Sequence, residues 1–518
     1  MAAASYTTDL VDIITDPAAT TGWTLISTGG GGANSFTVPE VDDYIQSATP
    51  GTVGCISRSP WTSVSIRGMV YNSARTIPAG SAIFIWTKSD VAQALDTRPN
   101  GGIQALVGNA TTALKCYYVD GSDTYALGGW KCYPIDPTIT QSASIGSPTA
   151  ATDYFGMRWN VPVSGPSKGF PYKIDALRYG STLTLTAGDL ANGYATFTDV
   201  ATFQGALARQ WGLFQFQNGT YLQQGKFQMG TSGTAVDFRD SNRAIFIADT
   251  LFVTSGFNVF EVNNAASRVD WTNISISSLG TVSKGNFSVV DNADLNIIGC
   301  TFTDMNTFVF QSISNISDGT TFRRCGEITA NSATFTNVLI TRSTAAVALQ
   351  CAGTVSALSN VDFVSAGTGH AMRITSGTAH TLSNITFTGY AGSNGSTGNE
   401  AIFVDIPSGS VTITVSGGNS PTYRTAGATV SVVSGATVTF TGFPTGTDVV
   451  VLTAGTTTVL DQVDQVAGTS YAWGYQGTPT VDVGFIKPGY IPFYIRGLTL
   501  GSTNSTLPVK LTLDRNYS

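Results

Sequence analysis

The sequence predicts an all-β protein: an N-terminal jelly-roll-like β-sandwich, a short capping helix, a right-handed parallel β-helix and a small C-terminal β-domain. Three observations carry that expectation. Only 11% of the 518 residues are charged and 57 are glycine, a balance that suits short strands joined by tight turns. Strand-like runs alternate with turn clusters through the first third of the chain. Further on, one six-residue pattern recurs at a nearly constant interval, as a solenoid requires.

Residues 1–185 carry the expected sandwich. Asp9–Asp16 holds Leu10, Ile13 and Ile14 on one side and reads as a helical turn. Val64-Ser65-Ile66-Arg67 alternates, whereas Ala82-Ile83-Phe84-Ile85-Trp86 is continuously apolar, the mark of a strand buried on both faces. Leu114–Tyr118 runs into the turn signal Asp120-Gly121, and Tyr172–Leu177 alternates again. Regular short strands over such a length argue for a sandwich of jelly-roll type. Gly29–Gly32 lacks the Lys-Ser/Thr and the strand-to-helix setting of a phosphate cradle, so it reads as a loop.

Residues 186–212 form a linker with the best helix candidate, Asp199–Trp211. There Val200, Phe203, Leu207 and Trp211 make one apolar stripe. Such a helix would cover the open backbone edge and core of the first solenoid coil.

Residues 213–445 carry the repeat: an apolar residue, Thr or Ser, Asn, Ile or Val, any residue, then Ile or Phe. It occurs at Trp271–Ile276, Phe335–Ile340, Leu358–Phe363 and Leu382–Phe387. The last three asparagines are 23 and 24 residues apart. Looser copies stand at Gly299–Phe302, Thr412–Val415 and Thr437–Phe440, and the 38-residue gap from Gly299 to Asn337 leaves the register open. In parallel coils about 4.8 Å apart, equivalent residues lie above one another. Asn273, Asn337, Asn360 and Asn384 are therefore expected to form a structural hydrogen-bonded ladder over an Ile/Val/Phe core. Residues 446–518 regain prolines and charges, with a strand pair expected at Ile491–Arg496 and Leu507–Leu513, and read as a closing β-domain.

Several functions are excluded at this level. A net charge of −7 offers no basic surface for a nucleic-acid backbone. The N-terminal residues lack a basic-then-apolar leader, and no window approaches a membrane span, so synthesis in a cytosol is expected. With six cysteines, no Cys-x-x-Cys pair and only two histidines, no zinc site or other cofactor is expected. Cys116 and Cys132 flank Asp120-Gly121 and could face each other across a hairpin folded near Thr124; a reducing cytosol favours free thiols.

In the order of its parts, its Ser/Thr/Gly/Asn-rich solenoid and its closing segments Phe485–Tyr490 and Leu513–Tyr517, the chain resembles virion structural proteins of tailed bacteriophages. The resemblance implies a virion location after synthesis in the host cytoplasm, a homotrimer and other virion proteins as partners. It also implies a β-helical appendage that attaches to a host-surface glycan, without nucleic acid or membrane insertion. Capsid decoration and a virion-borne polysaccharide depolymerase are the alternatives.

A glycan-cleaving spike needs two carboxylates about 5–9.5 Å apart. Asp237, Asp240, Asp249, Glu261, Asp270, Asp291, Asp294 and Asp304 lie in the relevant stretch, with Arg239 and Arg243 nearby. Most sit in turn-like contexts where Asp serves the backbone, so no catalytic residue is assigned. Asp120-Gly121-Ser122-Asp123 reads as a hairpin turn before a calcium loop. His370 and His380 are expected on separate strands, as surface or stacking residues, and Trp23, Trp61, Trp130 and Tyr133 are the aromatic candidates for sugar stacking.

Overall fold

A computed structural model describes residues 4–14, 20–28, 34–36, 53–57, 65–89, 93–94, 103–120, 124–125, 131–137, 141–161, 170–187, 193–206, 213–217, 219–247, 257–279, 285–290, 293–311, 313–331, 333–351, 355–390, 392–395, 398–475, 478–501 and 504–515. The chain is all-β. It divides into two compact units, Met1–Asp294 with Asp304–Asn306, and Leu295–Thr303 with Thr307–Ser518.

The first unit opens with two antiparallel sheets. One runs, in spatial order, Ala143–Ile145, Ala113–Asp120, Ile103–Ala110, Tyr154–Val161, Ser65–Asn72, Trp23–Thr28. The other runs Lys131–Ile135, Ala82–Ser89, Phe170–Gly180, Val53–Ser57, Asn34–Phe36. Alternate residues of both sheets meet in one core: Met69, Val107 and Phe155 from the first, Ile83, Ile85 and Leu177 from the second. That is the construction of a β-sandwich. Ala82–Trp86 is wholly buried, because Trp86 packs with Ala176 on the outer face while Ile83 and Ile85 face inward.

Two expectations fail here. Residues 9–14 form no helical turn: Val11–Asp12 pairs with Tyr179 and Arg178, and Ile13 and Ile14 enter the sandwich core. Burial by a neighbouring strand overrides the weak local period. Nor do Cys116 and Cys132 face each other across a hairpin. Cys116 pairs with Leu106 and Ala143 in one sheet and Cys132 with Trp86 in the other, and both are free thiols.

After the sandwich the chain winds in parallel. Thr182–Ala187 pairs with Lys226–Met229, that with Asn258–Val262, and that with Asn286–Val289. Thr220–Gln223, Ala244–Ile247 and Ser275–Ser278 form a second parallel ladder. The starting edges are closed by antiparallel strands: Ser5–Thr8 on Thr182–Ala187, and Phe214–Gln217 on Thr220–Gln223. The helix spans Phe197–Ala206, starting earlier than its apolar stripe suggests. Thr196 and Asp199 form a reciprocal N-terminal cap: Asp199 Oδ2 accepts from Thr196 N at 2.8 Å, and Asp199 N donates to Thr196 Oγ1 at 3.2 Å. Phe197 is fully buried, 4.8 Å from the Phe238 ring and 5.5 Å from that of Phe214. Leu207 and Trp211 lie outside the described residues.

The second unit continues in the same manner within itself. Its longest ladder runs Asn315–Ser317, Thr334–Thr341, Leu358–Val364, Ala379–Thr388, Ser410–Gly418, Thr429–Ser434, all parallel. A second runs Phe308–Val309, Ile328–Thr329, Val347–Cys351, His370–Ile374, Ile402–Val404, Tyr423–Thr425. Equivalent phenylalanines stack in the core, as Phe363 does on Phe387 at 5.6 Å.

Thr437–Phe440 departs from expectation. It belongs to no coil: Ala436–Thr441 pairs antiparallel with Ser470–Tyr475 and parallel with Ser505–Pro508. Val438 and Phe440 join the C-terminal core with Trp473, Val483 and Phe485. The expected pairing of 491–496 with 507–513 holds only at its end, where Ile491 pairs with Thr512. Tyr490–Ile491 pairs with Thr512–Leu513, and Phe493–Thr499 pairs with Thr480–Ile486.

Candidate functional site

The repeated asparagine has a backbone cause. Asn273, Asn337, Asn360 and Asn384 all adopt φ between 51° and 55°, the left-handed conformation that Asn tolerates better than other side-chain-bearing residues. Each turns a coil corner. The registers place Gly299, Asp318, Asn337, Asn360, Asn384 and Gly417 in one column of the second unit, all at positive φ. Asp318 thus supplies the coil hidden in the 38-residue gap. It escaped the sequence pattern because Asp and Gly meet the same conformational demand as Asn.

The amides join in part. Asn384 Nδ2 donates to Asn360 Oδ1 at 2.7 Å, and Asn360 Nδ2 donates to Asn337 Oδ1 at 2.9 Å. Asn273 stands apart from these three, in the first unit, where its Nδ2 meets Asn242 Oδ1 at 3.4 Å.

Asp318, Asn337, Asn360 and Asn384 of this column form one wall of a cleft of about 990 Å³ in the second unit. Beside the corner residues stacks a second column, Thr321, Leu339, Asp362 and Thr386. The facing wall is Val459–Asp464, part of the strand Val459–Val466 at the edge of the four-stranded C-terminal sheet. An edge strand presents unpaired backbone groups. Here the Gln462 carbonyl accepts from Asn360 Nδ2 at 3.3 Å, and the Gln462 N–H donates to Asp461 Oδ1 at 2.9 Å. Asn360 therefore links the two walls.

The ionisable side chains of the cleft are acidic. Asp318, Asp362, Asp461 and Asp464 line it, with no Lys, Arg, His or Cys among the described lining residues. Thr386 Oγ1 donates to Asp362, and Gln462 Nε2 donates to Asp464 at 3.0 Å. Asp461 is only 8% exposed and accepts from the Tyr471 hydroxyl. Burial pushes the Asp461 carboxyl above the usual carboxylate range, against the hydrogen bonds from Tyr471 and Gln462. Burial, then the Asp461 charge, push the Tyr471 hydroxyl up as well. Val459 and Leu460 add exposed apolar surface, at 51% and 44%.

The other candidate side chains serve the fold. Asp237 takes a two-pronged contact from Arg239 at 2.6 and 2.7 Å, Asp270 meets Arg268 at 2.9 Å, and Arg268 approaches Asp294 at 3.8 Å. Asp240 accepts from Arg243 at 3.1 Å and from the Phe197 N–H at 3.0 Å; Glu261 pairs with Lys226. Asp304 takes φ 56°, as at a coil corner. Asp249 and Asp291 lie outside the described residues, as do Gly121–Asp123 of the candidate calcium loop. Among the described residues no three His, Cys, Asp or Glu side chains group as for a metal, and no helix is long and apolar enough to cross a membrane.

Both histidines are buried rather than on the surface, at 7% and 2% exposure. His370 stacks on Phe403 at 5.5 Å, and its Nδ1 lies 2.8 Å from the Glu400 carbonyl oxygen. His380 points into the coil core in register with Ile413. Burial lowers its pKa, partly offset by the Gly377 backbone. Trp23 is buried in the sandwich core, which removes it as a sugar platform, and Tyr133 packs half-buried against that core. Trp61 and Trp130 lie outside the described residues.

The sequence matches no protein-family model and no curated protein. Among solved structures it is similar to a family 11 carbohydrate-binding module from Clostridium thermocellum, in complex with a β-1,3-1,4-mixed-linked tetrasaccharide. That likeness has 13% identity, 32% of this chain, 94% of that one and a TM-score of 0.23. A carbohydrate-binding module described for mannan recognition aligns at 12% identity over 34% of this chain and 99% of its own, with a TM-score of 0.20. An exo-β-agarase aligns at 9% identity over 33% and 24%, with a TM-score of 0.22. Scores this low establish neither shared ancestry nor shared function.

Proposed function

We propose that the chain is a non-enzymatic structural and adhesive protein of a virion surface, whose parallel coils form a rigid spacer and whose acidic cleft holds a host-surface glycan. The observation that carries the glycan reading is the cleft's coil wall. Amide, hydroxyl and carboxylate groups recur on it with every coil, about 4.8 Å apart, from Asp318 to Thr386. Sugars offer hydroxyls that both donate and accept, and such groups answer them in kind. The virion location and the homotrimer rest on the resemblance in the order of parts. Leu339→Trp fills the cleft without touching the asparagine column. Oligosaccharide binding by the native chain, lost in Leu339→Trp at an unchanged melting temperature, is the expected result; a native chain that binds no glycan sinks the reading.

A depolymerase is the second reading, favoured by one observation. Asp362 shares the cleft with Asp461, a buried carboxyl whose pKa is raised in the manner of a general acid. Release of reducing ends from bound polysaccharide, abolished in Asp461→Asn, distinguishes it from simple adhesion.

A further inference from the structure

We infer that the cleft excludes anionic glycans and accepts neutral or amine-bearing ones, laid along the stacking direction of the coils. This deepens the adhesive reading above and rests on it.

Among the described residues, the ionisable side chains of the lining are all aspartates, and they occupy both walls. Asp318 and Asp362 stand on the coil wall, Asp461 and Asp464 on the edge strand opposite. None of them has an arginine or lysine beside it in the lining. The contrast is with the first unit, where Asp237, Asp240, Asp270 and Glu261 are each met by a basic side chain. A ligand carboxylate or sulfate entering the cleft would therefore meet like charge from two sides, with no cation to receive it. Between closely spaced walls that repulsion is screened less than on an open surface.

Shape selects as well. Four corner rungs, Asp318, Asn337, Asn360 and Asn384, span about 14 Å at the coil spacing. A short linear oligosaccharide fits that length. The amides along the column supply donors and acceptors to a neutral sugar, and Asp362 and Asp464 supply acceptors to an ammonium group. Val459 and Leu460 offer apolar surface to the faces of sugar rings.

The test is titration calorimetry on the full chain at low salt, with three tetrasaccharides: a neutral gluco-oligosaccharide, a glucosamine oligomer with free amines, and an oligogalacturonate. The neutral and amine probes are expected to bind, with the uronate at least tenfold weaker. Molar salt should narrow the gap between amine and uronate. Asp362→Asn with Asp464→Asn, nearly unchanged in shape, should narrow it further. Uronate binding as tight as the other two overturns the charge selection and leaves glycan binding standing. Failure of all three to bind overturns the adhesive reading and this inference together. A double variant that keeps the tenfold gap places the selectivity elsewhere and overturns the assignment to these aspartates.

Discussion

Gly474, in the three-stranded C-terminal sheet, sits directly on Gly417, the last corner of the asparagine column: a Cβ on Gly474 would stand 2.0 Å from the Gly417 nitrogen and 2.6 Å from its Cα. Ser416 Oγ donates to the Gly474 carbonyl at 3.1 Å beside this contact. The three-stranded sheet, which shares its core with the four-stranded sheet that supplies one cleft wall, is thus seated backbone against backbone on the coils that supply the other.

Gly474→Val should unseat that contact. Overpacking of this kind costs about 1–3 kcal/mol. The strand Val459–Val466 should then lose amide-exchange protection before the coils do. Unchanged protection of that strand would mean that the glycine contact does not set the width of the cleft.

Asn360 performs a backbone and a side-chain task, and two substitutions separate them. Asn360→Gly keeps the left-handed corner and loses the amide links to Asn337, Asn384 and Gln462, at a cost of about 1–2 kcal/mol. Asn360→Ala also carries the left-handed strain of an ordinary L-residue, another ~1–2 kcal/mol. Urea unfolding should rank native, glycine, alanine in descending stability. An alanine variant equal to glycine would remove the conformational account of the repeat.

His380 should make the second unit acid-sensitive. Its pKa is lowered in the fold, so an unfolded chain takes up the proton first as pH falls through the ordinary histidine value of 6.5. Stability present above that pH is lost below it. His380→Leu should flatten the melting temperature between pH 7 and pH 5 relative to the native chain. Parallel curves for the two proteins would show that the ring does not titrate as its burial requires.

Asp461 has the opposite sign. Its folded pKa is raised from 3.8, so the fold favours the protonated form and its contribution falls as pH rises above that value. Tyr471→Phe removes the donor that best supports the ionised carboxylate, which should cost about 1–3 kcal/mol. The loss should be larger at pH 7 than at pH 4; an equal loss at both would indicate a packing effect alone.

The coils were legible because each corner makes a strict conformational demand. Asn337, Asn360 and Asn384 advertise it, whereas Asp318-Gly319 and Gly417 meet it with other residues and hide two corners from the pattern. Thr437–Phe440 misled for a related reason. Apolar alternation reports one buried face and says nothing of the partner strand, and Ala436–Thr441 pairs antiparallel with Ser470–Tyr475. The cleft was not legible at all. Its two walls meet through Asn360 and Gln462, 102 residues apart, and the edge strand's sequence is an unremarkable alternation of Val, Asp and Gln.

Because, within the corner column, each rung meets only the rungs above and below, the stack is divisible at the joints. Removing one whole repeat, such as the 23 residues from Asn337 to Asn360, rejoins equivalent positions and preserves the handover from corner to corner. The reach of the binding wall can therefore lengthen or shorten by duplication or loss of single repeats, with both closing structures left as they are. On the adhesive function proposed above, receptor range would evolve by counting rungs rather than by redesigning a pocket.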